Sequence, residues 1–255
     1  MLNLMKMEWY KLRTGKLFYL LMLVVFVVNG LIALLVPIVS RLFMPEIAVS
    51  DTMASVLTSP FTVGLLLIPV FISAISFLYS DFTGGFVKTI AGQVGNRGKM
   101  VIAKFVVLGI HNLFFFAAAA LSNVAGKAIA GSLVLEGDIV AALMSLLMKW
   151  LLSMAVCSII LFFAVGIRNK TIASIFAVVF ATGAFSLLYM GISTAVMNIF
   201  KISDFSLGDY LPDSLMNSVN VAENTLVVNG IAVAVIFIGV FVTLTYITFK
   251  KRDVK

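Results

Sequence analysis

The sequence is short of charge, cysteine and histidine. Only 11% of its 255 residues are charged, against about 25% in a typical soluble domain, while 62% are hydrophobic. A soluble globule of this length has too little interior to bury so many apolar side chains. The single cysteine excludes an intramolecular disulfide, and the single histidine excludes a histidine pair as metal ligands. These shortages exclude a soluble enzyme and a disordered chain.

Long uncharged runs take the place of charge. Six of them extend for 18 to 30 residues each. A bilayer-spanning helix needs about 20 apolar residues, and its backbone amides must be satisfied within the segment. The sequence therefore predicts an all-α, polytopic membrane protein with six transmembrane helices in one domain, 1–255. We place the spans at 17–39, 61–79, 105–125, 139–167, 171–196 and 226–249.

The segments between the spans differ in charge. Residues 1–16, 80–104, 168–170 and 250–255 together hold 14 of the 18 basic residues and 3 of the 11 acids. Cytoplasmic loops carry the excess of Lys and Arg, so both termini are predicted to be cytoplasmic. The net charge of +7 then follows from topology and from attraction to anionic lipid, and no nucleic-acid partner is needed.

Two of the connecting segments have amphipathic patterns. Residues 1–16 carry a narrow apolar stripe with Trp9 at headgroup level, which predicts an interfacial helix before the first span. On the outer side, 197–225 places Leu215 on an apolar helical face and Asp213 on the opposite face. This segment is either a short amphipathic helix or an ordinary acidic loop.

The largest predicted cytoplasmic segment is 80–104. It repeats apolar residues at helical spacing, at Phe82, Phe86 and Ile90. Such a segment either forms a surface helix that docks on lipid or on a partner, or is a solvated loop. Two fragments within it approach the G-x-x-x-x-G-K-[ST] phosphate-binding motif, and neither matches it. We therefore find no nucleotide-binding motif in this chain.

Polar groups within the predicted spans are few. Lys149 is the one charge there, and we expect it to reach the outer interface by snorkelling rather than to line a transport path. His111 has no intramembrane acid beside it, which favours a hydrogen-bonded packing role over a proton relay. Hydroxyl groups of the second and fifth spans either join helices or line a polar path, and the candidates are Ser73, Ser76, Thr182, Ser186 and Tyr189.

Three motifs follow one another along the chain. Glu8 and Lys11-Leu12 precede the first span, Asp81-Phe-Thr-Gly-Gly-Phe-Val-Lys88 follows the second and leads to Asn96-Arg97 and Lys104, and Phe249-Lys-Lys-Arg-Asp253 follows the last. In this order, with six spans and both ends inside, they resemble the ABC-2 type permease subunits of bacterial ATP-driven exporters. Among these, the chain is similar to small permeases that export peptides or confer lantibiotic immunity.

The resemblance implies roles for particular residues. Glu8, Trp9 and Lys11 would belong to an elbow helix at the membrane surface. Coupling to a separate ABC ATPase would fall to Asp81, Phe82, Gly84, Phe86, Lys88, Ile90 and Arg97. ATP and Mg would bind that ATPase, and this chain would hold no cofactor and catalyse no reaction. The partners would be the ATPase, a second permease copy and the lipid of a bacterial plasma membrane.

The implied substrate is an amphipathic peptide or antimicrobial.

Three other classes of protein can be compared with the residues of this sequence. An intramembrane enzyme would need acids or paired histidines within the spans, and the sequence has neither. An ion-coupled transporter would also need intramembrane carboxylates. It stays an alternative, together with a channel or an accessory membrane protein that has no ATPase partner.

Overall fold

The structure is a computed structural model that describes residues 1–43, 52–61, 64–83, 98–133, 138–201, 205–218 and 224–251. All regular structure in these ranges is helical. Within them, five helices are long and apolar enough to cross a membrane, and one bent pair brings the number to six. The predicted all-α, polytopic membrane class is therefore confirmed.

We number ten α-helices in the described ranges. They are α1 (Leu2–Thr14), α2 (Lys16–Phe43), α3 (Met53–Thr58), α4 (Gly64–Thr83), α5 (Gly98–Ile129), α6 (Ile139–Leu161), α7 (Lys170–Thr182), α8 (Phe185–Phe200), α9 (Pro212–Ser218) and α10 (Asn224–Lys251). A 3-10 turn, Ser59–Phe61, leads towards α4, and another, Leu207–Tyr210, precedes α9. A π-helix, Phe162–Gly166, continues α6.

Three long helices form the centre of the bundle. In the most apolar part of α4, α5 and α6, between 56 and 67% of the residues are buried, against 17% in α2 and α10. The apolar side chains of α2 and α10 are largely exposed, as lipid-facing side chains of a membrane protein are. The predicted elbow is a helix as well, and α1 packs against α5.

The contact between α2 and α5 depends on small residues. The Asn29 amide donates a hydrogen bond of 2.7 Å to the carbonyl of Ala119. A Cβ added at Gly126 would lie 2.6 Å from the carbonyl oxygen of Gly30. Small residues allow helix backbones to approach in this way in membranes, where burial of apolar surface does not drive association.

The predicted fifth span, 171–196, is not one straight helix. α7 ends at Gly183, whose left-handed φ of +66° lets its N–H bond to the carbonyl of Phe180. α8 begins two residues later, and the two axes differ by 72°. The end of α7 also meets the start of α4, because a Cβ at Gly64 would overlap the carbonyl of Ala181.

Lys149 does not behave as predicted. The side chain is 2% exposed, whereas a snorkelling lysine would present its ammonium to water. The elements packed against α6 include α10, α3 and α9, which the chain brings in from distant segments. Asp213, predicted to lie on a polar face, is also buried, and so is Leu215. The short α9 buries both faces because it packs against α6 as well as α10.

Candidate functional site

Four ionisable side chains meet where α1, α4 and α5 come together. We call this set, Glu8, Lys11, Asp81 and Lys104, the charge ring. Lys11 Nζ lies 3.3 Å from Glu8 Oε1 and 2.6 Å from Asp81 Oδ1. Lys104 Nζ lies 3.2 Å from Glu8 Oε2 and 2.7 Å from Asp81 Oδ2. Each ammonium therefore contacts both carboxylates, and the ring has no net charge.

The local structure brings these residues into place. Glu8 and Lys11 are three positions apart on α1 and so share a helical face, together with the buried Leu12. Asp81 belongs to the last turn of α4, and Lys104 lies near the start of α5. The ring thus ties the elbow helix to both helices that border residues 84–97.

The ring is largely out of water. The exposed fraction is 1% for Glu8, 2% for Asp81 and 3% for Lys104, and only Lys11, at 21%, reaches the surface. The Lys104 ammonium also lies 5.4 Å from the centre of the Phe77 ring. A buried charge is tolerated when it is paired and hydrogen-bonded, and the alternation of signs provides this for all four groups.

A second junction joins α4, α7 and α10 at the same end of the bundle. The Arg168 guanidinium lies over Phe82 at 5.3 Å and over Phe249 at 5.7 Å. Its backbone carbonyl accepts a hydrogen bond of 3.3 Å from the Tyr79 hydroxyl. Arg168 has a left-handed φ of 62°, which turns the chain from the π-helix into α7. We call the end of the bundle that holds this junction and the charge ring the basic end. The opposite end is called the acidic end.

The predicted coupling residues fall into two groups. Asp81 belongs to the charge ring, and Phe82 packs against Arg168 and Tyr79. Gly84, Phe86, Lys88, Ile90 and Arg97 lie outside the described residues. Asp81 is buried and its carboxylate is paired with Lys11 and Lys104, and its coupling role stays a prediction.

The predicted path residues do not come together. Ser73 and Ser76 line a cavity of about 110 Å³ between α1, α2 and α4, and a hydrogen bond of 2.9 Å joins Ser73 to His111. This hydrogen bond agrees with the hydrogen-bonded packing role that the sequence predicts for His111. Thr182 and Ser186 are exposed at the bend between α7 and α8.

Tyr189, the fifth predicted path residue, lies at the acidic end. Its hydroxyl donates to Asp213 Oδ2 at 3.1 Å. Burial raises the pKa of the Asp213 carboxyl, and the hydrogen bond from Tyr189 and backbone N–H groups oppose the rise. The path assignments of all five residues stay predictions.

Sequence reasoning missed the ring as a unit. It assigned Lys104 to topology and to a motif, and Arg168 to topology alone. One signal was available: Glu8 is the single acid in an otherwise basic segment, 1–16. A lone acid in such a segment predicts an ion pair with basic residues, but sequence spacing does not identify which residues these are.

The fold and the charge ring together define the class of protein. This is a polytopic membrane protein whose N-terminal helix, predicted to be interfacial, is joined by ion pairs to the two helices flanking one predicted cytoplasmic segment. Residues 4–184 match the family described as ABC-2 family transporter protein. The match covers well over half of the chain, which therefore belongs to this family of transporter membrane components, as its motifs predicted. No curated protein matches the chain.

Proposed function

We propose that this chain is the permease subunit of an ATP-driven ABC exporter in a bacterial plasma membrane. It works with a separate ATPase subunit and a second permease copy, and it moves an amphipathic peptide or antimicrobial out of the cell or the membrane. Membership of the ABC-2 family supports the permease role. The sequence offers no phosphate-binding loop of its own, in keeping with a separate ATPase.

The charge ring is the observation that carries the proposal. Residues 84–97 lie in the chain between Asp81 and Lys104, which contact each other directly and also contact α1. A force applied to this segment would reach α4, α5 and the elbow helix together. Closure of an ATPase dimer could in this way rock the helices as rigid bodies and switch access across the membrane.

The amphipathic character of the substrate has support at the same end. The 110 Å³ cavity beside the ring is lined by Ser73, Ser76 and Ser80, by Lys11, and by apolar residues that include Phe18 and Phe77. A cavity with both kinds of lining suits a molecule with a polar and an apolar part.

The test separates partner docking from folding. We replace Phe86 and Ile90 with Asp and expect the co-purifying ATPase and peptide efflux to be lost together, because a buried apolar docking face would not accept two carboxylates. Thermal unfolding in detergent checks that the variant folds. Tyr210→Asp, on an exposed side chain at the acidic end, is the matched control and keeps both activities.

Two results would count against the proposal. Efflux and ATPase co-purification that both persist in the double variant would remove the coupling role of residues 84–97. Unmodified protein that transports with an ion gradient, and purifies without any ATPase, would favour the ion-coupled alternative instead.

A further inference from the structure

Lys149 lies deep within the bundle. On α6 it is ten residues after Ile139 and twelve before Leu161, which places it about 15 Å and about 18 Å along the axis from these two residues. Its neighbours on the helix contact the middle of α5: Trp150 Nε1 donates to the carbonyl of Gly109 at 3.3 Å. A hydrocarbon core is about 30 Å thick, so Lys149 lies well inside a helix that is long enough to cross it.

The ammonium has no partner in the described part of the chain. No hydrogen bond or ion pair joins Lys149 Nζ to any described residue, although the side chain is 2% exposed. The acids at the start of α6 and on α9 have other partners: Asp213 accepts from Tyr189, and Asp138 caps the start of α6. Insertion of a lysine at the centre of a bilayer is unfavourable, and such a residue marks a functional site by default.

The surroundings of Lys149 are polar along one face of α6. Ser145 and Ser153 lie one turn to either side, and both are buried. Ser153 Oγ accepts from the Asn112 amide at 2.7 Å, while Asn112 Oδ1 has no hydrogen-bond partner among the described residues. This face therefore holds hydrogen-bonding groups and one positive charge, with no described negative charge to balance it.

Two short helices cover part of α6. α3 and α9 have six and seven residues, and both pack against α6 from the acidic end. Short elements with few contacts open at lower free energy than the core helices do. Movement of α3 or α9 would therefore expose part of α6 at the acidic end while α4 and α5 stayed together.

From these observations we infer that Lys149 binds the oxyanion of an amphipathic ligand inside the bundle. The group is a carboxylate or a phosphate carried on an apolar chain, which would pair with the ammonium and be surrounded by the serine hydroxyls. The inference rests on the proposed function, since it defines the substrate of that exporter more closely as an anionic amphiphile.

Binding can be measured on the full-length permease alone, in lipid nanodiscs. The chain has two tryptophans, so Trp9→Phe leaves Trp150, next to Lys149, as the single fluorophore. An ω-bromoalkyl phosphate should quench Trp150 saturably, and the corresponding bromoalkyl alcohol, which enters the same lipid, should quench it only linearly. Unbrominated alkyl phosphate and alkyl carboxylate serve as competitors and separate the two oxyanions.

Variants at position 149 then test the residue itself. Lys149→Met removes a buried charge that has no partner among the described residues, so it should fold at least as well, and it should weaken saturable quenching about tenfold or more. Lys149→Arg keeps the charge and should retain binding, and the exposed Lys170→Met should leave it unchanged.

The inference is wrong if phosphate and alcohol quench alike, or if Lys149→Met binds as tightly as the parent. Restoration of fluorescence by one competitor alone identifies the preferred oxyanion. The measurement uses neither ATP nor an ATPase, so its outcome is independent of whether the proposed partner co-purifies.

Discussion

The two ends of the bundle are held together by different chemistry. At the basic end, three buried charges and the partly exposed Lys11 alternate in sign in the charge ring, and Arg168 lies over two aromatic rings. At the acidic end, hydrogen bonds join the described elements, two of them from the exposed Arg41 guanidinium to the carbonyls of Ala130 and Gly131. The Asn123 amide donates to Ser59 Oγ at 2.7 Å, and the backbone N–H of Leu207 donates to Ser193 Oγ at 2.9 Å.

This difference has an energetic consequence. Removing one partner of a buried ion pair costs roughly 3–5 kcal/mol, because the other charge is left uncompensated. Removing one neutral hydrogen bond costs about 0.5–1.5 kcal/mol. The helices of the basic end should therefore move together as one rigid body. The contacts of the acidic end should break one at a time, each at a smaller cost in free energy. The proposed exporter, driven from its cytoplasmic side, would need this combination: a stiff end that receives the force and a flexible end that moves.

The largest effect is expected from Lys104→Met. The variant leaves Glu8 and Asp81 with Lys11 as the one remaining ring cation, so the buried carboxylates repel each other. We expect a loss of roughly 3–5 kcal/mol in stability and of all efflux. Thermal unfolding of the purified protein measures the first, and a peptide-efflux assay in cells measures the second.

Lys99→Met is the matched control for that variant. Lys99 is exposed on the first turn of α5, so its loss should change stability by no more than about 0.5 kcal/mol. Equal losses in the two variants would show that the ring is an ordinary surface salt bridge, and the distinction between the two ends would fail.

A smaller effect is expected from Gly126→Leu, which examines the close contact between α2 and α5 towards the acidic end. A side chain there would meet the carbonyl of Gly30 at 2.6 Å and the Ala33 Cβ at 2.8 Å. Separating α2 from α5 should cost about 1–3 kcal/mol, as overpacking usually does. Detergent-solubilised thermal unfolding measures it.

Gly239→Leu provides the comparison on α10. No atom lies within 4 Å of a Cβ at Gly239, and leucine favours a helix over glycine by up to about 1 kcal/mol. This variant should be neutral or slightly more stable. A Gly126 variant that behaves in the same way would mean that α2 and α5 separate freely, and the acidic end would be looser than its packing indicates.

The spans could be predicted from the sequence because hydrophobic length is a local property. Each uncharged run contains a helix, and α2 and α10 extend beyond the predicted bounds by only a few residues. The bend at Gly183 could also have been anticipated. The uncharged run from Lys170 to Lys201 encloses 30 residues, more than a straight span needs, and glycine in a helix interior is unfavourable.

The site could not be predicted, because it depends on contacts between distant parts of the chain. Lys11 and Asp81 are 70 positions apart, and no periodicity connects them. The burial of Lys149 likewise depends on how other helices, α3 and α9 among them, pack against α6. The sequence pattern of α6 alone is as compatible with a snorkelling lysine as with a buried one. Local patterns thus predicted the helices, while the pairing of charges required the assembled bundle.

The smallest effect concerns Asp213, the buried acid of the acidic end. Burial raises the pKa of its carboxyl above the ordinary value of 3.8. The folded state therefore holds this proton more tightly than the unfolded state does, so the free energy of unfolding falls as pH rises from 3.8 through the raised pKa. Asp213→Asn keeps an acceptor for Tyr189 and carries no charge, so it should flatten this pH dependence.

Thermal unfolding across the acidic pH range measures the slope. At neutral pH the substitution should change stability by no more than about 1 kcal/mol, since the hydrogen bond is retained. Asp209→Asn, on an exposed acid three residues before α9, should leave the slope as it is in the parent protein. If both variants share the parent's slope, the carboxyl of Asp213 is ionised in the folded state without cost, and the acidic end is better solvated than its burial implies.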